Sequence, residues 1–282
     1  MAEITAAAVN NLRAMTGVGM MDCKKALQEA NGDVDAAVKL LRERGVAVAA
    51  KRAEKAANQG AVAAKGSADG KVMAMVEVNC ETDFVARNEG FQAFVQQVVD
   101  TALANPADVA EVMKDDLSAK IAQTGENMKI RRSVRYTLEG TGKLASYIHM
   151  GGKVGVVLDV ACGKAETVAN VAFDELTRDL CLQVAAAMPR YLVPADVAAE
   201  EVAAERDIYA KQMADQNKPA NILEKIIDGK MVKFYGEICL LEQEFVKAAD
   251  TTVIIKDLIA KVAKECNDTI TVRKFDRFQL GA

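Results

Sequence analysis

Few residues of this sequence have the types and spacing that catalysis requires. The only histidine, His149, has no serine or cysteine motif around it, so the sequence offers no nucleophile paired with a base. Glu200 and Glu201 are adjacent carboxylates, but they fall in a polar helical pattern that is typical of a solvated face. Residues 17–19 (Gly-Val-Gly) lack the preceding strand and the following Gly-Lys-Ser/Thr of a phosphate loop. We therefore expect a protein without covalent chemistry, which is not an enzyme.

Cysteine spacing predicts no metal site. The chain has 282 residues, six cysteines without any CxxC spacing and a single histidine. We therefore expect no bound metal and no cofactor. Free, mostly buried thiols and the absence of a secretory segment predict a cytoplasmic location. No apolar run approaches the roughly 18 residues that cross a membrane, so no membrane contact is expected.

The composition is typical of a globular protein that does not bind nucleic acid directly. Hydrophobic residues make up 51% of the chain and charged residues 27%, while aromatic residues make up only 5%. This balance favours alanine-rich helices and valine-rich strands over a large aromatic ligand pocket. The net charge of −4 argues against nonspecific nucleic-acid binding, which needs many cationic groups facing phosphates.

Residues 72–98 predict a strand, a polar turn and a helix in succession. Alternating valines predict the strand, and apolar residues at helical spacing from Phe91 onward predict the helix. Phe84 stands in the turn between them, beside Thr82 and Asp83, which are both helix-capping residue types. Two interpretations remain open here. Phe84 either folds back on the coming helix as a hydrophobic staple or stands exposed as an aromatic wedge for a partner.

An internal repeat predicts two related halves. Residues 71–80 match residues 153–162 in the lysine, two valines and the cysteine, and Glu77 meets Asp159. Each segment follows a turn and precedes a helix, so we expect two α+β units, each an antiparallel sheet with helices on one face. The other predicted strands are 61–65 and 128–138 in the first unit, and 144–149 and 269–280 in the second.

The repeat also bears on Phe84. The second copy continues after its cysteine with residues 163–167 (Gly-Lys-Ala-Glu-Thr) and has no phenylalanine at the turn. A staple that the architecture requires should occur in both copies. The repeat therefore favours the partner-facing interpretation of Phe84.

Helices are predicted before the first α+β unit and as an insertion within the second. Three short helices are predicted before Gly45, which is expected to end the third, and residues 46–60 are expected to form a helical or semi-flexible linker. Met20 and Met21 cannot both face the core from one helix, so one of them is expected to be exposed to a partner and the other to fill the core. Residues 195–234 predict an antiparallel helical hairpin. It is expected to project from the body, the alternative being that it packs flat on the sheet.

Three motifs resemble the elongation factor Ts family. The first covers residues 16–27 and 29–33 (TGVGMMDCKKAL and EANGD), the second residues 77–86 (EVNCETDFVA) and the third residues 125–132 (GENMKIRR). The resemblance extends over nearly the whole chain. It implies an α+β fold with an N-terminal three-helix, UBA-like domain followed by two repeated antiparallel-sheet and helix subdomains. The implied limits are 1–45 for the GTPase-binding domain, 46–60 for the linker, 61–140 and 141–282 for the two core subdomains, and about 195–234 for the hairpin inserted in the second.

The same resemblance implies a guanine-nucleotide exchange factor. Its partner would be elongation factor Tu, in the GDP-bound and nucleotide-free forms, with the two proteins also able to pair as a dimer of heterodimers. The turn at Phe84 would intrude beside the nucleotide and displace magnesium, which allows GTP to reload. The implied contact residues are Arg13, Met20 and Met21 for the GTPase domain, Thr82, Asp83, Phe84 and Val85 for the magnesium site, and His149 for a distal domain.

Two other function classes are compatible with the residue patterns. The three-helix unit could bind a partner as a non-catalytic adaptor, with the repeat acting only as a scaffold. An α+β enzyme with an unrecognised site is the other. Release of fluorescent GDP from the GTPase separates the three, because an adaptor binds without release and an unrelated enzyme does not bind.

Overall fold

The computed structural model describes residues 4–213, 219–248 and 252–282. Helices and strands both contribute to it, which confirms the predicted α+β class. The helices are α1 (Ala6–Thr16), α2 (Met20–Glu29), α3 (Val34–Arg52), α4 (Asp83–Arg87), α5 (Glu89–Ala104), α6 (Val109–Val112), α7 (Lys114–Thr124), α8 (Ala165–Val168), α9 (Val171–Ala187), α10 (Ala199–Met213), α11 (Ala220–Ile238) and α12 (Ile255–Glu265). The strands are β1 (Gln59–Gly66), β2 (Val72–Cys80), β3 (Met128–Thr137), β4 (Gly142–His149), β5 (Val154–Cys162) and β6 (Ile270–Gln279).

The six strands form two three-stranded antiparallel sheets, as the sequence predicts. Their orders are β1-β2-β3 and β4-β5-β6, so the repeated segment is the central strand of each. The pairing register shifts at Glu77/Val78 in the first sheet and at Asp159/Val160 in the second. Matching irregularities in matching strands support a common plan for the two halves. The division of the chain into the four predicted segments stays a prediction.

Strand β2 is buried on both faces, and its two polar side chains, Glu77 and Asn79, are buried as well. Val76 and Val78 pack with the apolar face of α5. Met73 and Met75 point the other way and pack with Val157 of the second sheet. Since successive side chains of a strand alternate between faces, one strand can join two cores. The outer face of the second sheet is covered in turn by α9 and α12.

The two sheets approach closely where β5 crosses β1. A Cβ atom added to Gly155 would lie 2.4 Å from Cγ1 of Val62 and 2.8 Å from Sδ of Met75. Glycine is therefore required at this crossing, because any larger residue would push the sheets apart. Beside it, the backbone N–H of Val62 donates to the carbonyl of Gly152 at 2.8 Å. The sheets are thus joined by packing and by a backbone hydrogen bond.

Glu77 is a fully buried carboxylate at the junction of the sheets. Its Oε2 accepts from Nε of Arg132 at 2.7 Å, and its Oε1 accepts from Nδ2 of Asn79 and from the backbone N–H of Gly281, both at 3.0 Å. Nη1 of Arg131 lies 3.3 Å from Oε1. Burial alone would raise the pKa of Glu77, but the hydrogen bonds from Gly281, Asn79 and Arg132 outweigh it and lower that pKa.

The third helix is longer than the sequence analysis expects. The prediction that it ends at Gly45 is wrong, since α3 runs on to Arg52. Gly45 is buried where α3 crosses α7, and a Cβ atom there would lie 3.4 Å from both the carbonyl oxygen of Ser118 and Cβ of Ala122. Glycine serves this close approach of two helices rather than a helix end. For residues 46–52 of the predicted linker, the helical alternative holds.

The predicted helical hairpin consists of α10 and α11. Val202 and Tyr209 of α10 pack with Ile227, Met231 and Phe234 of α11 in one apolar seam. No described residue of α10 is buried, so this helix finds its apolar contacts mainly on its partner. The turn that the sequence predicts at 215–219 lies outside the described residues except for Pro219, the N-cap of α11. Projection of the hairpin stays a prediction. Within the described ranges, no helix combines the length and apolarity that a bilayer crossing requires.

The Glu77 network predicts a pH-dependent contribution to stability. Glu77→Gln keeps the side-chain shape but removes the charge that Arg132 faces, so the free energy of unfolding at pH 7 should fall by about 2 kcal/mol. Folding lowers the pKa of Glu77 below its ordinary value of 4.5. The contribution is therefore fully present above about pH 4.5 and is lost as the pH falls through the folded-state pKa.

Urea unfolding of both proteins between pH 7 and pH 3 checks this expectation. The two unfolding free energies should differ at pH 7 and converge in acid. Glu175→Gln, at an exposed carboxylate, is the control and should unfold like the wild type at every pH. A constant difference across the pH range would contradict a role for the Glu77 charge.

Candidate functional site

The corner between β2 and α4 presents Phe84 to solvent. Thr82 is the N-cap of α4, and its Oγ1 accepts from the backbone N–H of Val85 at 3.3 Å. The first turn of the helix directs Val85 and Ala86 toward the core. Phe84 is left on the opposite side with 83% of its surface exposed. The staple interpretation is therefore wrong, and the exposed interpretation that the repeat favoured is what the structure has.

Thr82 is held by Glu126, which precedes β3. Oγ1 of Thr82 donates to one carboxylate oxygen of Glu126 at 2.7 Å, and the backbone N–H of Thr82 donates to the other at 3.0 Å. The carbonyl of Thr82 accepts from Sγ of Cys80 at 3.2 Å. Burial raises the pKa of the Cys80 thiol to about 12, and the Glu126 carboxylate adds to the effect, so the thiol keeps its proton and donates. We call this set of contacts the Thr82 clasp.

A second set of bonds ties the same corner to the end of α3. Glu81 accepts from the backbone N–H of Asn127 at 2.6 Å and faces Nη1 of Arg52 at 3.4 Å. The side chain of Asn127 donates to the carbonyl of Lys55 at 2.6 Å. On the exposed side, Asp83 pairs with Arg87 across one helical turn at 3.1 Å. The exposed phenylalanine therefore stands on a corner whose backbone is fixed from several directions.

An open depression of about 770 Å³ lies beside Phe84. It is lined by the corner itself and by the β4–β5 turn, with Met150, Gly151 and Lys153. Met150 is exposed, and its φ of 51° is a left-handed conformation that non-glycine residues rarely adopt. Sequence reasoning did not single out Met150. A methionine in a glycine-rich turn could have been noticed in the sequence. Nothing in the local sequence, however, shows that this turn lies beside Phe84.

The second sheet has an equivalent corner without an aromatic residue. Asp268 precedes β6 as Glu126 precedes β3, and it accepts from the backbone N–H of Lys164 at 2.9 Å and from Oγ1 of Thr167 at 2.5 Å. The Cys162 thiol donates to the Lys164 carbonyl at 3.4 Å, as Cys80 does to Thr82. The exposed residue that corresponds to Phe84 is Glu166. The corner is thus shared by both halves, while its aromatic residue is particular to the first.

The other predicted contact residues lie apart from this depression. Met20 and Met21 are 50% and 63% exposed at the start of α2, and Arg13 is exposed near the end of α1. Met20 thus departs from the core-facing position that its helical spacing with Cys23 suggests. None of the three lines the depression at Phe84. They are exposed on the first two helices, as is Met15 of α1, which the sequence analysis did not name.

His149 ends β4, one residue before Met150. It is exposed, and Nδ1 of its ring lies 2.9 Å from the hydroxyl of Tyr147. Among the described residues, no group of three or more histidine, cysteine, aspartate or glutamate side chains is arranged to hold a metal ion. What the described surfaces offer is contact with another macromolecule, through exposed apolar side chains on rigid supports.

Comparison with known proteins shows which family the chain belongs to. A family model described as elongation factor TS matches residues 81–282. Elongation factor Ts of Trichlorobacter lovleyi is 45% identical over 291 aligned residues, covering 99% of this chain and 93% of that protein. Elongation factor Ts of Desulfovibrio desulfuricans is 43% identical over 287 residues, covering 100% of both. Since the family model matches more than half of the chain and these relatives match it along nearly its full length, the chain belongs to the elongation factor Ts family.

Proposed function

We propose that this translation elongation factor promotes release of GDP from elongation factor Tu. In this proposal it binds the GDP-bound form, stabilises the nucleotide-free form and leaves when GTP reloads. Membership of the family supports the partner. The observation that carries the mechanism is the exposure of Phe84 on a corner fixed by the Thr82 clasp.

The physical basis is linkage between two ligands of one GTPase. An exchange factor that binds the nucleotide-free form more tightly than the GDP-bound form must weaken GDP binding by the same factor. Every 1.4 kcal/mol of this difference is about tenfold in GDP affinity. No bond is made or broken, so the protein needs surface complementarity and rigidity rather than catalytic groups.

Phe84 is the residue that we propose to intrude beside the nucleotide. The bound magnesium ion neutralises phosphate charge, and its supporting loops must keep their positions for it to remain. In the proposal, Thr82, Asp83, Phe84 and Val85 present the aromatic ring so that it shifts those loops. A ring on a mobile loop would yield to the GTPase, whereas a ring on a braced helix start transmits the strain.

The remaining predicted contacts complete the proposed interface. Arg13, Met20 and Met21 form the surface that we propose to grip the GTPase domain, because exposed thioethers adapt to a partner and arginine adds a cation. His149 is proposed to meet a distal domain of the same GTPase. The pairing of two such complexes into a dimer of heterodimers stays a prediction.

A non-catalytic adaptor is the second candidate function, and the exposed methionines of α2 favour it as well. They account for binding but give no reason for the aromatic residue at the corner. Mixing the protein with GTPase that carries fluorescent GDP separates the two functions. Accelerated loss of fluorescence supports exchange, and binding without release supports the adaptor.

Phe84→Ala should slow the stimulated release of GDP by at least about tenfold, which is the size expected for an aromatic contact at the centre of an interface. The midpoint of thermal unfolding should stay unchanged, since the ring is exposed. Stopped-flow release of fluorescent GDP and thermal unfolding measure the two quantities. Val171→Ala is the control, because Val171 is also apolar and 71% exposed but lies at the start of α9. Normal release with Phe84→Ala would contradict the proposed mechanism.

Magnesium removal gives a separate expectation. If Phe84 acts by displacing magnesium, chelation with excess EDTA does the same work, so the wild type and Phe84→Ala should then release GDP at similar rates. The measurement is the ratio of their stimulated rates with magnesium and with EDTA. An unchanged ratio would exclude magnesium displacement while leaving exchange by another route.

Replacing Met20 and Met21 together by alanine should weaken the binding of nucleotide-free elongation factor Tu by about tenfold. Both side chains are exposed, so folding should be unaffected. Isothermal titration calorimetry measures the affinity. Met188→Ala is the matched control, because Met188 is 56% exposed and lies after α9, away from α2. Equal affinities of the double variant and the wild type would remove this surface from the interface.

A further inference from the structure

We propose that Glu126 is a positioning residue for nucleotide exchange, which acts by fixing the direction of Phe84. The inference rests on the proposed function, in which Phe84 is the residue that intrudes on the GTPase. Glu126 itself does not reach the ring. It acts through Thr82, which stands two residues before Phe84 in the chain.

Phe84 cannot fix its own direction. Its ring is 83% exposed and has no place in the packed clusters of the core. The helix that carries it, α4, has five residues, and a helix of this length is unstable without support at its ends. The direction of the ring therefore depends on how the first turn of α4 is held.

Thr82 holds that turn, and every polar group of Thr82 is engaged. Its carbonyl accepts from the N–H of Ala86 at 3.1 Å and from the Cys80 thiol, and its Oγ1 accepts from the N–H of Val85. Its two donors, the backbone N–H and the hydroxyl, both go to Glu126. A carboxylate is the side chain that suits this geometry, because it offers two acceptors and no donor when ionised.

The contact with Glu126 is also the long-range link of the corner. Thr82 and Glu126 are 44 residues apart in the chain, and Glu126 stands two residues before β3, the edge strand paired with β2. Neighbouring Asn127 makes the reciprocal bond, from its backbone N–H to the Glu81 carboxylate. These bonds fix the orientation of α4 relative to the sheet rather than relative to the loop around it.

The second sheet provides an internal control for this inference. Asp268 holds its corner through the same kinds of donors, the backbone N–H of Lys164 and the hydroxyl of Thr167. That corner presents Glu166 instead of an aromatic residue. A carboxylate clasp therefore belongs to the architecture of both corners, but only in the first does it direct a residue of the proposed interface.

The experiment compares Glu126→Gln, Phe84→Ala, the double variant and Asp268→Asn in the full-length protein. Glutamine retains one acceptor and places an amide donor against a donor of Thr82, so the corner loses one charge-assisted hydrogen bond. Stimulated release of fluorescent GDP should slow by roughly tenfold, because α4 then no longer holds the ring of Phe84 in one direction. Asp268→Asn makes the matching change in charge at the other corner and should leave the release rate within about twofold of the wild type.

The double variant distinguishes positioning from general stability. If Glu126 acts through Phe84, Glu126→Gln should slow release in the wild type but add nothing in the Phe84→Ala background. Equal slowing in both backgrounds, or equal slowing by Asp268→Asn, would overturn the inference. Glu126→Asp is a second variant in case glutamine prevents folding. It keeps the charge but is one methylene shorter, so it should also slow release, and normal release by both Glu126 variants would overturn the inference.

Failure of the proposed function has a different outcome. If Phe84→Ala alone releases GDP normally, both the wedge mechanism and the role of Glu126 are overturned. If Phe84→Ala is impaired and the Glu126 variants are folded and normal, only the positioning role is overturned.

Discussion

The face-to-face packing of the two sheets is the constraint on which the rest of the structure depends. It requires glycine at position 155 and buries both faces of β2, including the Glu77 carboxylate. It also brings the hydroxyl of Tyr136 in the first sheet within 2.8 Å of Asp276 in the second. With the sheets held in this way, the β2–α4 corner and the β4–β5 turn line one depression. The placement of Phe84 relative to Met150 therefore depends on the packing between the sheets.

The proposed exchange activity is consistent with how polarity is distributed around the corner. The backbone N–H and carbonyl of Thr82 are paired within the protein, while the apolar ring of Phe84 is left to solvent. Pairing of backbone groups is usual in folded proteins, so the exposed aromatic ring is the unusual part of this corner. A protein that binds a partner through surface contact can tolerate the cost of an exposed aromatic ring at a few positions. The fold itself does not require an aromatic residue at this corner, because Glu166 occupies the corresponding place in the second half.

Much of the fold could be predicted from local patterns. Valine-rich runs and turn residues located the six strands. The repeat correctly indicated that Phe84 is not a packing residue that the fold requires. What the sequence could not reveal were contacts between distant segments. Gly45 has the local appearance of a helix end, yet it serves the crossing of α3 and α7. Glu126 bonds to Thr82 across 44 residues, and Met150 lines the same depression as Phe84, so neither relationship leaves a signal in the local sequence.

The bond between Glu77 and Gly281 has a consequence for synthesis on the ribosome. Glu77 emerges 204 residues before its partner, and β6 completes the second sheet only shortly before that. Asn79, Arg131 and Arg132 belong to the first sheet and can pair with Glu77 once β3 is made, but the bond from Gly281 has to wait. The Glu77 network is therefore complete only after the last strand is synthesised, and until the second sheet forms, the face of β2 that carries Met73 and Met75 lacks its cover.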